Sequence, residues 1–223
     1  MKKQNESKSL PTRIGITIGD AAGIGPEITL KALLDESIGK VCLPIVIGDA
    51  RFLERLAVEF DLPVNFEIIK AGAEIPQKSD KIICYDLANL PEEIIAGKES
   101  GITGKAAAEN IETAVRLCQE KKIEAMATAP ISKKALSMGG YNFPGHTEML
   151  AYLTNTKDFA MSFFAGDLRV ILLSTHVSLL EAISLVKTEK LIELVRFTNR
   201  ELAKLLQKEV KIAVAGLNPH ASE

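Results

Sequence analysis

The chain has 223 residues, which is long enough for one large domain or two small ones. Its net charge is −2, and acidic and basic residues are interspersed, so nothing indicates a nucleic-acid or anionic-membrane partner. The three cysteines are far apart and form no C-x-x-C pair, as is typical of reduced cytoplasmic thiols. No apolar stretch approaches the length of a membrane span, so we expect a soluble cytoplasmic protein without a membrane partner.

The predicted elements alternate between strands and helices. A disordered tail over residues 1–12 is followed by strands over 13–19, 42–48, 64–70 and 81–87, with helices over 26–35 and 49–60. Further along come a helix over 106–121, a strand over 123–130, a short helix over 147–154 and a strand pair over 159–166 and 169–175. A long helix over 189–209 and a buried strand over 210–216 complete the order.

This alternation predicts an α/β fold with a mostly parallel sheet that helices cover on both faces. The segment "AGKESGITG" over residues 96–104 interrupts the alternation with glycines. We therefore predict a domain boundary near residue 100, with a first α/β domain over 13–100 and a second over 101–223.

The turn between the first strand and the first helix, "GDAAGIGPE", is rich in glycine. Gly23 and Gly25 would allow a positive φ angle or the close approach of a ligand, and a helix N-terminus behind such a loop is a natural anion site. The spacing matches neither nucleotide-binding fingerprint. The residues by themselves therefore favour a tight turn with no ligand, and an anion site is the alternative.

Each of the three histidines lies at a junction: His146 before a helix, His176 between a strand and a helix, and His220 after the last strand. Ligands of open α/β sheets gather beyond the carboxyl ends of the strands, and histidine is both a common metal ligand and a usual acid or base. A surface or capping role is the simpler interpretation of any single histidine. A catalytic metal usually takes three protein ligands, so two histidines are one ligand short.

Two other pairs of residues leave alternatives open. Thr147 and the glutamate after it either cap a helix or belong to a site. Lys133 and Lys134 in "APISKKAL" are either a solvated pair or a patch that attracts phosphate near a helix start.

Five motifs together resemble a known family. The stretches "GDAAGIGPEI", "TAPISKKAL", "FPGHTEML", "STHVSL" and "GLNPHASE" have the order and intervals of the 4-hydroxythreonine-4-phosphate dehydrogenases of pyridoxal phosphate biosynthesis. The resemblance runs from Arg13 to the final residue. It implies an isocitrate/isopropylmalate-dehydrogenase-like fold, in which two α/β/α domains flank a cleft, and a homodimer with the site at the subunit interface.

The resemblance also implies roles for particular residues. His146 and Thr147 match the substrate-binding pair, and His176 and His220 match two of the three histidines that hold a divalent metal (zinc, magnesium or cobalt). Beyond the last motif the family has its third metal histidine and most of its NAD or NADP site, so the resemblance implies a chain truncated at its C-terminus. The general base and the cofactor-binding residues stay unassigned.

The implied function is the NAD(P)- and metal-dependent oxidation of 4-phosphooxy-L-threonine, followed by loss of CO2 to give 3-amino-2-oxopropyl phosphate. One alternative is a paralogous dehydrogenase of a four-carbon sugar-acid 4-phosphate, such as threonate or erythronate. Another is a catalytically inactive truncated relative. Little or no activity is expected of the 223-residue chain alone, because it would lack a metal ligand and most of the cofactor site.

The chain departs from the family pattern at a few motif positions. Ala21 replaces a proline, Ala129 a glycine and Ser132 an asparagine, and all three changes are expected to be tolerated. Ser222 replaces a glycine, and it would cost roughly 1 kcal/mol or more if that position needs a positive φ angle.

Overall fold

The computed structural model of the chain describes residues 10–220. The chain divides into two compact units between Asn155 and Thr156. The predicted disordered tail lies outside the described residues as far as residue 9, and so does Ser222.

The first unit is built on a five-stranded sheet in which every pairing is parallel, as predicted. Its order is β3–β4–β2–β1–β5, and the strands are β1 (Arg13–Thr17), β2 (Leu43–Gly48), β3 (Phe66–Lys70), β4 (Ile82–Asp86) and β5 (Ala125–Thr128). In β2 every residue except Pro44 is buried, which is the pattern of a central parallel strand covered on both faces.

Helices cover both faces of this sheet. They are α1 (Gly25–Leu33), α2 (Glu36–Val41), α3 (Ala50–Glu59), α4 (Gly101–Gln119), α5 (Lys133–Met138) and α6 (His146–Leu153). Val46 of β2 packs with side chains of α1 and α3, whereas its neighbours Ile45 and Ile47 pack with Ala114 and Leu117 of α4. Adjacent strand residues point to opposite faces, so β2 contributes to two cores.

Two short helices, α2 and α5, were not among the predicted elements, although one interpretation of Lys133 and Lys134 placed them near a helix start. Each begins at a capping residue: Asp35 accepts a hydrogen bond from the Ser37 N–H, and Ser132 accepts one from the Ala135 N–H. Such caps satisfy backbone donors that a helix start leaves without partners. The capping residues were therefore the available signal, while six residues are too few for an apolar period to stand out.

The glycine-rich segment predicted as a domain boundary is the start of α4. Ser100 caps this helix, and Gly101 and Gly104 lie in its first turn against the backbone of α5. Beyond the predicted boundary, β5 pairs with β1 in the same sheet. The division into compact units falls after Asn155, and the glycines near residue 100 permit close helix packing. The domain boundary near residue 100 stays a prediction.

The second unit contains an antiparallel pair, β6 (Ser162–Ala165) and β7 (Leu168–Ile171), and the helices α7 (Leu179–Ser184) and α8 (Thr188–Leu206). The strand pair and the long helix were predicted. Among the described residues of this unit only Thr198 and Leu202 are buried. The second unit has little apolar core of its own.

The buried strand predicted over residues 210–216 is wrong for this structure. The segment has no regular secondary structure, and Val214 is exposed. A strand needs a backbone partner, and within residues 10–220 no strand pairs with this segment. Of the helices that the described residues form, none is long and apolar enough to cross a membrane.

Candidate functional site

Three loops are joined near the carboxyl end of β1. We call them the edge loops: residues 18–24 after β1, residues 95–100 before α4, and residues 129–132 after β5. The Asp20 N–H donates to the Pro130 carbonyl oxygen at 3.0 Å, and the Gly97 N–H donates to the Ala22 carbonyl oxygen at 2.7 Å. The strand order reverses at β1, and open α/β sheets bind ligands at such switch points.

The glycines of the first edge loop and the start of α1 serve backbone packing. A Cβ atom at Gly25 would lie 2.3 Å from the Ile18 carbonyl oxygen, and one at Gly19 would lie 2.1 Å from the Pro130 carbonyl oxygen. Only Gly19, which the sequence analysis did not single out, has a positive φ angle, +71°. Gly25 is thus required for the tight turn itself, and a ligand contact at Gly23 or Gly25 stays a prediction.

The two lysines of "APISKKAL" differ in their surroundings. Lys134 Nζ lies 3.0 Å from Glu99 Oε2, so its charge is paired. Lys133, the first residue of α5, is exposed and has no ion pair within the described part of the chain. One lysine is therefore paired and the other is available to an anion, a distinction that the sequence did not make.

His146 and Thr147 form the first turn of α6, and both are partly buried. The Nε2 atom of His146 is buried and has no hydrogen-bond partner among the described residues. Burial lowers the pKa of the imidazole, which keeps the ring neutral near pH 7. A buried polar atom without a partner is costly, so the burial of Nε2 argues against a simple surface or capping histidine, and the substrate-binding role of His146 stays a prediction.

His176 and His220 lie in the second unit, and both are exposed. His176 has a φ angle of +56°, an uncommon conformation for a residue with a side chain. Within residues 10–220 no three His, Cys, Asp or Glu side chains are grouped so that they could hold a metal ion. The imidazoles suit a divalent metal chemically, but the described residues alone do not complete a site for it, and the metal roles of His176 and His220 stay predictions.

Sequence reasoning missed two acidic residues of the edge loops. Asp20 is buried, and its Oδ1 atom accepts the Ala22 N–H at 2.9 Å, which fixes the first loop. Glu99 accepts a hydrogen bond from Ser132 at 2.7 Å, in addition to its ion pair. An aspartate soon after a buried strand was a usable signal for Asp20, whereas nothing local marked Glu99 because its partners lie more than thirty residues away.

The chain is thus a parallel α/β protein whose edge loops meet at the carboxyl end of its sheet. Comparison with known proteins is consistent with that class. A family model described as pyridoxal phosphate biosynthetic protein PdxA matches residues 40–223. The chain therefore belongs to the PdxA family, as the motif resemblance predicted.

Three similar proteins show the extent of the match. The D-threonate 4-phosphate dehydrogenase of Cupriavidus necator is 43% identical over 210 residues, which cover 94% of this chain and 63% of that protein. A 4-hydroxythreonine-4-phosphate dehydrogenase structure from Burkholderia phymatum has a TM-score of 0.84 at 40% identity and covers 96% of this chain and 64% of its own.

The third, a 4-hydroxythreonine-4-phosphate dehydrogenase structure from Klebsiella pneumoniae, has a TM-score of 0.87 at 34% identity and covers 96% of this chain and 65% of its own. The chain thus spans a little under two thirds of the length of these relatives.

Proposed function

We propose that this chain acts in an NAD(P)-dependent dehydrogenase that oxidises the secondary alcohol of a four-carbon acid with a 4-phosphate group. The single observation that carries the proposal is His146: it lies in the family motif, and its Nε2 atom is buried without a partner among residues 10–220. Relatives named as dehydrogenases of two such acids support the substrate class.

D-Threonate 4-phosphate is the substrate we favour within that class. The relative named for it is 43% identical, whereas the solved relatives named for 4-hydroxythreonine 4-phosphate are 40% and 34% identical. The two acids differ at C2, which carries a hydroxyl in one and an amino group in the other. 4-Phosphooxy-L-threonine, and with it pyridoxal phosphate biosynthesis, is the second candidate, favoured by the description of the family model.

His146 and Thr147 would orient the acid. A neutral imidazole offers one donor and one acceptor, so Nε2 can hydrogen-bond a substrate hydroxyl or carboxylate without adding a buried charge. The Thr147 hydroxyl adds a second contact from the same helix turn. Lys133 would pair with the phosphate, since its ammonium group is exposed and has no partner in the described chain.

The reaction removes a hydride from C3 and a proton from its hydroxyl group. The hydride passes to a nicotinamide cofactor, which is the chemistry that this group supplies when it is bound. The resulting 3-keto acid loses CO2 because the new carbonyl accepts the electron pair of the broken C–C bond.

A homodimer is part of the proposal. Its support is the exposed apolar surface of the second unit, where Phe163, Phe164 and Leu180 are each at least half exposed. Aromatic side chains are enriched in the buried cores of protein–protein interfaces. Light scattering on the purified protein should give twice the chain mass, and a monomeric mass would contradict this part of the proposal.

A substrate panel tests the function. The protein is isolated from its native source, its intact mass is recorded, and NAD(P)H formation is followed with D-threonate, D-erythronate and 4-hydroxythreonine 4-phosphates. We expect turnover with threonate 4-phosphate and a lower kcat/KM with the amino acid. The opposite order would favour the second candidate. No turnover with any of the three, by a protein whose intact mass exceeds that of the 223-residue chain, would contradict the proposal.

A further inference from the structure

The edge loop over residues 95–100, predicted as a domain boundary, holds the other two edge loops together. At one end the Gly97 N–H donates to the Ala22 carbonyl oxygen in the loop after β1, at 2.7 Å. At the other end Glu99 contacts the loop after β5 and the start of α5. No residue of this loop has a role in the proposed function.

Glu99 makes two contacts through its two carboxylate oxygens. Oε1 accepts a hydrogen bond from Ser132 Oγ at 2.7 Å, and Oε2 lies 3.0 Å from Lys134 Nζ. The hydrogen bond from Ser132 is the main cause of a lowered pKa at Glu99, and the hydrogen bond from Lys134 is the second. The carboxylate is therefore charged at neutral pH. The ion pair neutralises Lys134 and leaves Lys133 as the unpaired cation of "APISKKAL" in the described chain.

Ser132 transmits the effect of Glu99 to the helix. Its hydroxyl group donates to Glu99 and at the same time accepts the Ala135 N–H at 3.1 Å, as the N-cap of α5. A cap fixes the backbone at the first turn of its helix. Lys133 is the first residue after the cap, so the position of its side chain depends on this hydrogen bond.

We infer that Glu99 is a positioning residue: acting through Ser132, it fixes the start of α5 and so holds Lys133 in place for the phosphate group of the substrate. The inference rests on the proposed function, in which Lys133 contacts that phosphate. It also accounts for a glutamate beside an anion site, where its charge alone would be unfavourable.

Two substitutions at Glu99 distinguish its effect on the position of Lys133 from the effect of its negative charge on phosphate binding. Inorganic phosphate is titrated into the purified chain, and its dissociation constant is measured by phosphorus NMR. Charge alone predicts that Glu99→Ala and Glu99→Gln both tighten phosphate binding, since both remove a negative charge. Positioning predicts that Glu99→Ala weakens binding about threefold or more, whereas Glu99→Gln, which keeps an acceptor for Ser132, binds at least as tightly as the wild type.

Substitutions at Ser132 test whether Glu99 acts on Lys133 through this residue. Ser132→Ala removes both the cap and the donor, and it should weaken phosphate binding as much as Glu99→Ala does. Ser132→Asn keeps a capping oxygen and an N–H donor, so it should restore binding close to that of the wild type. Circular dichroism and urea unfolding confirm that each variant is folded.

Lys133→Ala distinguishes failure of this inference from failure of the proposed function. The matched control is Lys98→Ala. Lys98 is an exposed lysine of the edge loop that contains Glu99, and its side chain has no ion pair among residues 10–220. Phosphate binding unchanged in Lys133→Ala, or undetectable in the wild type, would overturn the phosphate role and the inference with it. Weaker binding in Lys133→Ala, together with tighter binding in both Glu99 variants, would overturn the inference alone.

Discussion

Gly104 of α4 packs so closely on Ala135 of α5 that a Cβ atom at Gly104 would lie 1.8 Å from the Ala135 carbonyl oxygen. At the other end of α5, a Cβ atom at Gly139 would lie 2.6 Å from the backbone nitrogen of Lys105 in α4. The two helix backbones are thus in direct contact. This contact places α5, and the cap that begins it, against the edge loops.

Replacing Gly104 with alanine should destabilise the chain. Alanine is the better helix former, but the overlap with a backbone atom cannot be relieved by a side-chain rotation, and we expect a loss of about 3 kcal/mol in the free energy of unfolding. Gly39 in α2 is the matched control, because a Cβ atom there would meet no atom within 4 Å apart from the adjacent backbone of its own helix. Gly39→Ala should be neutral or stabilising by about 0.5 kcal/mol. Urea denaturation measures both, and an equal effect in the two variants would contradict the close packing.

The glycines after β1 give a second pair of variants. Gly25→Ala should cost about 2 kcal/mol, because its Cβ atom would overlap the Ile18 carbonyl oxygen. Gly23→Ala should cost less than about 0.5 kcal/mol, because its Cβ atom would meet Asp20 at an ordinary contact distance of 3.4 Å. Thermal unfolding of the two variants checks the order, and a larger loss in Gly23→Ala would contradict it.

His146 should make stability depend on pH in one direction. Burial lowers its pKa in the folded chain from the ordinary 6.5. As the pH falls, the unfolded chain therefore takes up this proton first, so the contribution of His146 is complete above the unfolded pKa and is lost as the pH falls through the folded pKa. Urea midpoints at about pH 8 and about pH 5 should differ less in His146→Gln than in the wild type. An identical pH dependence in both would contradict the burial of the imidazole.

The second unit should exchange its amide hydrogens faster than the first. Only Thr198 and Leu202 are buried among its described residues, whereas β2 is buried along nearly its whole length. Local opening is easier where few apolar contacts resist it. Hydrogen exchange read by mass spectrometry should show the slowest peptides over residues 43–48 and rapid exchange over residues 207–217. Strong protection of the latter segment would indicate that it forms structure after all.

The sheet was predictable because its strands are short apolar runs between helices, and β2 shows how clear that signal is. The segment over residues 210–216, predicted as a buried strand, is also mostly apolar, yet no strand pairs with it within the described chain. Strand pairing cannot be read from composition. The domain boundary near residue 100 stays a prediction, but its glycines proved ambiguous in sequence. A glycine that allows two helices to touch, such as Gly104, looks the same in sequence as one that makes a linker.

The candidate site was likewise predictable only in part. The motif resemblance pointed to His146 and Thr147, and the structure adds the burial of Nε2 and the lowered pKa of the ring. The sequence could not distinguish Lys133 from Lys134, because the distinction depends on the ion pair between Lys134 and Glu99. These two residues are 35 positions apart in the chain and meet only in the folded structure. Roles for His176 and His220 stay predictions.

Binding of D-threonate 4-phosphate at His146 is the central claim, and NMR of the histidine rings measures it without requiring turnover. The ring signals of His146 are assigned by comparison with His146→Gln, and the acid is then titrated into the wild-type chain. We predict that the His146 signals shift in a saturable way, since Nε2 gains the partner it lacks among the described residues. Signals of His146 that stay unchanged while the acid reaches millimolar excess would contradict the proposed site.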